Sequence, residues 1–237
     1  LNNVQVSANW MAASGENSDD FALRSGVEAL SKIAVDLKVS IPVGKDSLSM
    51  RTKWSENNSD YEVSSPLSGV ITAMAPVDDV TESVTPELNT SDDTSILLIK
   101  LNNKNRLAGS IFSEITETKY QHTPDIDDIE VFEKLFSGIQ NLLKSKKILA
   151  MHDISDGGLI TTLLEMCFTK KVGMRLNLDD SSGVNEFLFS EEIGFAIQIK
   201  KNNLDEVTNT LTNENIYVKN IAERVDGEQF SIFKNDS

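Results

Sequence analysis

Sulfur and imidazole are scarce in this chain: 237 residues contain one cysteine, Cys167, and two histidines, His122 and His152. A single cysteine excludes an internal disulfide and a multi-cysteine zinc site, and it fits a reducing compartment. Cys167 falls on the apolar side of a helical pattern, where a buried structural thiol is expected rather than a nucleophile. Basic residues are few as well. Twenty-two Lys and Arg stand against 37 Asp and Glu, a formal net charge of −15 at pH 7. Such a field repels nucleic-acid backbones and argues against a nonspecific DNA or RNA binder. It leaves nucleotides open, because a local Mg²⁺ can reverse the sign of one site. No apolar run approaches the length of a membrane span, and the first residues lack a basic-then-apolar signal pattern.

What is present suits a globular chain of one large or two small domains, with 39% hydrophobic and 25% charged residues. Val4–Ala8 reads as a strand. Leu23, Val27, Leu30, Ala34 and Leu37 recur at helical spacing after Ser18-Asp19-Asp20. Val39–Val43 is extended and leads into Gly44-Lys45-Asp46-Ser47, read as a turn. Asn57–Ser65 is a hairpin or surface loop, and Leu67–Ala75, between Pro66 and Pro76, is expected to be a buried strand. A polar stretch over 81–94 containing Pro86 marks a boundary. Beyond it the pattern predicts strands at 96–99, 148–151, 174–178, 195–199, 216–218 and 230–233, and helices at 125–143, 159–168 and 204–211. Residues 107–115 are ambiguous. This alternation implies an α/β or α+β architecture.

The richest segment for chemistry is His152-Asp153-Ile154-Ser155-Asp156-Gly157-Gly158. A strand enters it and a helix leaves it, so two carboxylates, a hydroxyl and two glycines meet where a helix start exposes unpaired N–H groups. Such a turn can hold a metal through Asp153 and a phosphate through Ser155 and backbone amides. It can equally be an ordinary helix cap. Gly44-Lys45-Asp46-Ser47 resembles a P-loop but fails its test, because Val39 stands where the first glycine belongs. The segment offers Lys45 to an anion or forms a salt-bridged turn. Glu191-Glu192 is an acidic pair that can hold Mg²⁺ or share a proton, or is a solvated acidic loop.

Four motifs in order make the pattern specific: Val6-Ser7-Ala8-Asn9-Trp10-Met11-Ala12-Ala13, Ile41-Pro42-Val43-Gly44-Lys45-Asp46-Ser47-Leu48-Ser49-Met50, Ser65-Pro66-Leu67-Ser68 and His152-Asp153-Ile154-Ser155-Asp156-Gly157-Gly158-Leu159. Leu188–Gly194 extends them. Together they resemble the large, single-chain type of phosphoribosylformylglycinamidine synthase, the glutamine-dependent ligase of purine synthesis. The resemblance spans about residues 4–233. It implies an α/β (α+β) fold like aminoimidazole ribonucleotide synthetase. A partial N-terminal domain would occupy 1–85 and a C-terminal domain 86–237. The chain would belong to the second of two synthetase-like halves, paired with the first half and served by a glutaminase domain of the same cytoplasmic polypeptide.

The whole enzyme of that family converts formylglycinamide ribonucleotide, ATP and glutamine to the formylglycinamidine, ADP, phosphate and glutamate. By the resemblance, Asp153 matches a Mg²⁺ ligand of an auxiliary nucleotide site holding ADP, and Ser155 matches a nucleotide contact. Lys45, Asp46 and Ser47 are candidate substrate or anion contacts. No residue is assigned to catalysis, and Glu191 and Glu192 receive no role. The remaining Mg²⁺ ligands are expected upstream of Leu1, and the Gly-rich ATP segment and glutaminase nucleophile are not among these residues. The isolated chain is therefore expected to be a piece of a longer protein, inactive alone, with an apolar patch near Trp10 and Leu67–Met74. The alternative is a stand-alone, non-catalytic nucleotide-binding or structural domain of the same fold. Nucleic acid and membranes are not expected partners.

Overall fold

The computed structural model describes residues 1, 3–15, 17–91, 93–178 and 183–234. The chain divides into two compact units, Leu1–Asp78 and Asp79–Ser237.

In the first unit, β1 (Gln5–Met11) is the middle strand of three. It pairs in parallel with β2 (Ser40–Ser47) and antiparallel with β5 (Ser68–Met74). The helix α1 (Asn17–Asp36) connects β1 to β2, as a parallel pair requires. Trp10 wedges between glycines: a Cβ on Gly26 or on Gly69 would come within 2.9 Å of its indole. Residues 51–64 form the hairpin β3 (Arg51–Glu56) and β4 (Ser59–Ser64). Its two-residue turn, Asn57-Asn58, has φ of +49° and +62°, the left-handed pair that matches strand twist. Trp54 and Tyr61 stack across it at 5.3 Å.

Two expectations change here. Gly44-Lys45-Asp46-Ser47 is not a turn: it continues β2, with Gly44 opposite Ala8 and Asp46 opposite Trp10. A Cβ at Gly44 would stand 2.9 Å from the Ala8 carbonyl oxygen, so the glycine admits close backbone approach rather than cradling a phosphate. The segment 67–75 does form a strand, β5, but Val70, Ile71 and Met74 are exposed rather than buried. A three-stranded sheet with one helix has too few layers to cover it. Only Ala8, Ala12 and Ala13 are buried apolar residues among those described in this unit.

The second unit is built on a six-stranded sheet. Its strands are β6 (Thr94–Lys100), β7 (Ile148–Asp153), β8 (Gly173–Leu178), β9 (Gly194–Lys200), β10 (Tyr217–Val225) and β11 (Phe230–Lys234). Their order is β11-β8-β10-β6-β9-β7. Every pairing is antiparallel except β11 with β8. The fold is thus mixed α+β, as the alternation predicts. The strand β6 is buried along its whole length because both faces of the sheet are covered. Ile96 and Leu98 point into one apolar cluster with Leu163, Met166 and Phe187. Leu97 and Ile99 point into another with Leu135, Ile139 and Leu211.

The helices α4 (Gly158–Phe168) and α5 (Val184–Phe189) line the first cluster, and α3 (Ile129–Lys144) and α6 (Leu204–Thr212) the second. Asp128 caps α3 through the amides of Glu130 and Val131. The ambiguous 107–115 stretch resolves into a short helix, α2 (Ile111–Ile115), capped by Ser110. Residues 79–85 belong to this unit: a single 3-10 turn, Val80–Glu82, precedes Thr85, whose carbonyl accepts from the Met151 amide. No described helix is long and apolar enough to cross a membrane.

Candidate functional site

The strand β7 ends at Asp153 and α4 begins at Gly158, so Ile154-Ser155-Asp156-Gly157 is the whole connection. Gly157 and Gly158 both take positive φ, +85° and +72°, which a side chain rarely adopts. A Cβ at Gly158 would also lie 2.6 Å from the Phe189 carbonyl carbon. Ile154 is buried and ties the turn to β9, its amide donating to the Gly194 carbonyl at 2.9 Å. The Thr162 hydroxyl donates to the carbonyls of Asp153 (3.0 Å) and Gly158 (3.2 Å), closing strand end and helix start together. These internal bonds leave the side chains of Asp153, Ser155 and Asp156 exposed.

His152 is mostly buried between two carboxylates. Its Nδ1 faces Asp153 Oδ1 at 3.2 Å and the Asp153 carbonyl at 2.9 Å, and its Nε2 faces Glu165 Oε2 at 3.0 Å. The imidazole thus contacts the Asp153 carboxylate through one ring nitrogen and Glu165 through the other. Among the described residues no three His, Cys, Asp or Glu side chains converge on one point. This unit supplies single oxygen donors rather than a cage. Mg²⁺ is compatible with that, since it commonly keeps its waters and takes only one or two carboxylates beside nucleotide phosphates.

The acidic pair divides into two unlike residues. Glu192 is 2% exposed and accepts from Arg106 three times: from Nε (2.6 Å), Nη2 (2.6 Å) and the backbone amide (3.1 Å). Arg106 also reaches Asp127 and the Asp125 carbonyl. Glu192 raises the Arg106 guanidinium above its ordinary range, chiefly by hydrogen bonding. The Lys104 ammonium, with Arg106, holds Asp127 below the usual carboxylate range. Lys100 is buried beside them, its Nζ donating to the Lys104 carbonyl and to Asn105 Oδ1, each at 2.6 Å. Burial pushes it down to about 8. Glu191 turns the other way: its Oε1 accepts from the amides of Gly157 (2.9 Å) and Ile111 (3.0 Å). The sequence assigned neither role, and the only signal was two acids directly before a strand.

Asp153 and Ser155 thus share one turn in the second unit. Lys45, Asp46 and Ser47 lie on β2 of the first unit, where the Lys45 ammonium donates to the Ser47 hydroxyl. Cys167 is buried in the core of α4, as its apolar setting predicts, and burial raises its thiol to about 11.

Comparison with known proteins bears on this architecture. Residues 1–76 match the model of the FGAR-AT PurM_N-like domain, and residues 93–235 match the C-terminal domain of AIR synthase related proteins. Solved structures share the fold at low identity. PurL from Thermotoga maritima, solved with ATP, has a TM-score of 0.70 at 11% identity, over 98% of this chain and 35% of that one. The same protein solved with FGAR gives 0.69 at 10%, over 98% and 37%. HypE from E. coli, a hydrogenase maturation protein, gives 0.66 at 13%, over 96% of this chain and 69% of that one. This chain spans about a third of the length of the PurL chains it matches. The two model matches, laid over two synthetase-like units that meet these residue ranges, place the chain in the AIR synthase-related family, with an N-terminal region of the FGAR-AT PurM_N-like kind.

Proposed function

We propose that this chain is part of a phosphoribosylformylglycinamidine synthase of the single-chain type, and that its β7–α4 turn holds a Mg–nucleotide, ADP or ATP. The observation that carries this reading is the match of residues 1–76 to a domain model named for FGAR amidotransferase. Relatives of the fold solved with ATP, ADP and FGAR support it. In this reading Asp153 takes Mg²⁺ and Ser155 takes a phosphate oxygen. Lys45, Asp46 and Ser47, on β2 of the first unit, contact a substrate anion in this reading. Glutamine, formylglycinamide ribonucleotide, the first synthetase-like half and a glutaminase domain belong to the longer cytoplasmic polypeptide. Its partial N-terminal domain, expected over 1–85, corresponds in this reading to the unit Leu1–Asp78, and its C-terminal domain, expected over 86–237, to the unit Asp79–Ser237. The chain alone is inactive, and glutamine-dependent conversion by the isolated chain would overturn that part.

The test is calorimetric titration of Mg–ADP into the full-length protein. Asp153→Asn should weaken binding at least about tenfold by removing the anionic metal ligand, while stability without nucleotide stays within about 0.5 kcal/mol, because the side chain is exposed. Unchanged affinity refutes the assignment. A second reading, a stand-alone nucleotide-binding or structural domain, draws support from HypE, of which this chain covers 69% against about a third of PurL. Nucleotide binding without any FGAR-dependent ATP hydrolysis by the full-length protein would favour it.

A further inference from the structure

We propose that residues 109–121 form a strap that detaches from the second unit as one cooperative piece, hinged at a neck clasped by Arg106 and latched beside the start of α4 by Phe112 and Glu191. This device stands on the chain's own contacts and does not depend on the nucleotide reading above.

The neck is closed from both sides of the loop. The Ala108 amide donates to the His122 carbonyl at 3.0 Å, and Leu107 beside it is buried. Just outside, Arg106 Nη2 donates to the Asp125 carbonyl at 3.1 Å and Nη1 to Asp127 at 3.2 Å, while the same guanidinium holds Glu192. Asp127 also accepts from Asn102 and Lys104. The two ends of the strap are thus fixed close together, the arrangement of an Ω-loop.

Inside the neck the bonding turns inward. Ser110 bonds the Leu107 carbonyl through its amide and its hydroxyl. The amides of Glu114, Thr116 and Thr118 donate to the carbonyls of Ser110, Phe112 and Ser113. Among the described residues, one hydrogen bond and one ring pair join the strap to the unit beyond its neck. The Ile111 amide donates to Glu191 Oε1 at 3.0 Å, and the Phe112 ring stacks on Phe189 at 4.6 Å. The helix α2 buries none of its residues, and Ile115 is 77% exposed. So short a helix does not hold without tertiary support. Once both contacts let go, its internal bonds go with them, and the strap has an attached and an open state with little between. Gly109, at φ +76°, lies just inside the neck, where a glycine can take up the backbone change.

The latch lies beside the start of α4. Glu191 Oε1 also accepts from Gly157, and the Phe189 backbone lies against Gly158. Opening removes one of two amides from Glu191 and uncovers one face of the Phe189 ring. Arg106 keeps its bonds to Glu192, so the Glu191 backbone stays in place as the strap leaves. Such an opening breaks few contacts and belongs to the low end of the ladder of local openings.

The test is native-state hydrogen exchange, amide by amide, on the full-length protein in wild type, Phe112→Ala and Glu191→Ala. In wild type the amides of Ile111, Glu114, Thr116 and Thr118 should share one protection factor, at least about tenfold below those of Ala108 and β6. Low urea should leave that factor nearly unchanged while it lowers protection in β6, because a small opening exposes little surface. Phe112→Ala should speed all four amides about tenfold, as expected for a lost aromatic pair, with Ala108, Gly157 and β6 within about twofold. Glu191→Ala should speed the same four about tenfold and Gly157 with them. Strap amides that exchange at unrelated rates, or that follow β6 through the urea series, overturn the proposal. So does a Phe112→Ala variant that leaves them unchanged or speeds β6 equally, since the ring then serves the whole fold or nothing. Acceleration of Gly157 alone in Glu191→Ala overturns it too, by removing Glu191 from the latch.

Discussion

Replacing Arg106 by Met should be among the most damaging single changes in the second unit. Arg106 gives Glu192 all three of its hydrogen bonds among the described residues, and the Glu192 side chain is 3% exposed. Two of the three come from the guanidinium, and the backbone donor survives substitution. Removing the guanidinium strands a carboxylate in a nearly dry site, and breaking one side of a buried ion pair costs about 3–5 kcal/mol. The Lys100 ammonium feels the Glu192 charge and offsets part of this, which favours the lower end. Arg106→Met combined with Glu192→Gln should recover part of the loss, because the stranded charge is gone. The probe matters. Both tryptophans, Trp10 and Trp54, lie in the first unit, so their fluorescence would follow the wrong unit. Hydrogen exchange in β6 and β9, measured along a urea series, follows the second. A loss below about 1 kcal/mol for Arg106→Met, or a double variant no more stable than the single, would refute the claim that this pair is desolvated and coupled.

Further outcomes follow from the same unit. Lys100 is held near 8 by burial, while the unfolded chain keeps the ordinary lysine value, so the unfolded state binds more protons between about pH 8 and 10.5. Stability of the second unit should therefore rise with pH across that window, by up to about 3 kcal/mol, and Lys100→Met should abolish the rise in urea midpoints measured at pH 7.5 and 10. Gly158→Ala should lose more than about 2 kcal/mol in thermal unfolding, since it combines a positive φ with a Cβ 2.6 Å from the Phe189 carbonyl carbon. A near-neutral result would mean that α4 can start elsewhere.

Much of the second unit was legible because its periodicities are strong. The amphipathic run at 125–143 became α3, and the apolar run at 148–151 with its Gly-Gly exit became β7, a turn and α4. The helix α5 escaped notice: six residues, Val184–Phe189, are too few for a 3.6-residue period to declare itself. The segment Gly44–Ser47 differed for another reason. It was expected to be a turn after a strand, whereas it continues β2, where glycine serves a close parallel strand, a cause that lies in the Ala8 backbone. The strand β5 was recognised as a strand and misjudged as buried, because apolar composition states what a side chain prefers, not whether another layer is there to cover it.

The sequence by itself determined most of the elements, their order, and the turn where Asp153 and Ser155 stand together, since these depend on residues within a few positions of one another. Its four ordered motifs also pointed to the family that the domain models match. Only the tertiary structure decided what the acidic pair does. Glu192 meets Arg106 across 86 positions and Glu191 meets Gly157 across 34. Two neighbouring carboxylates thus received opposite tasks, one buried against a cation and one clasping backbone amides. No local pattern separates them, because burial and hydrogen-bond partners arise only when distant segments pack.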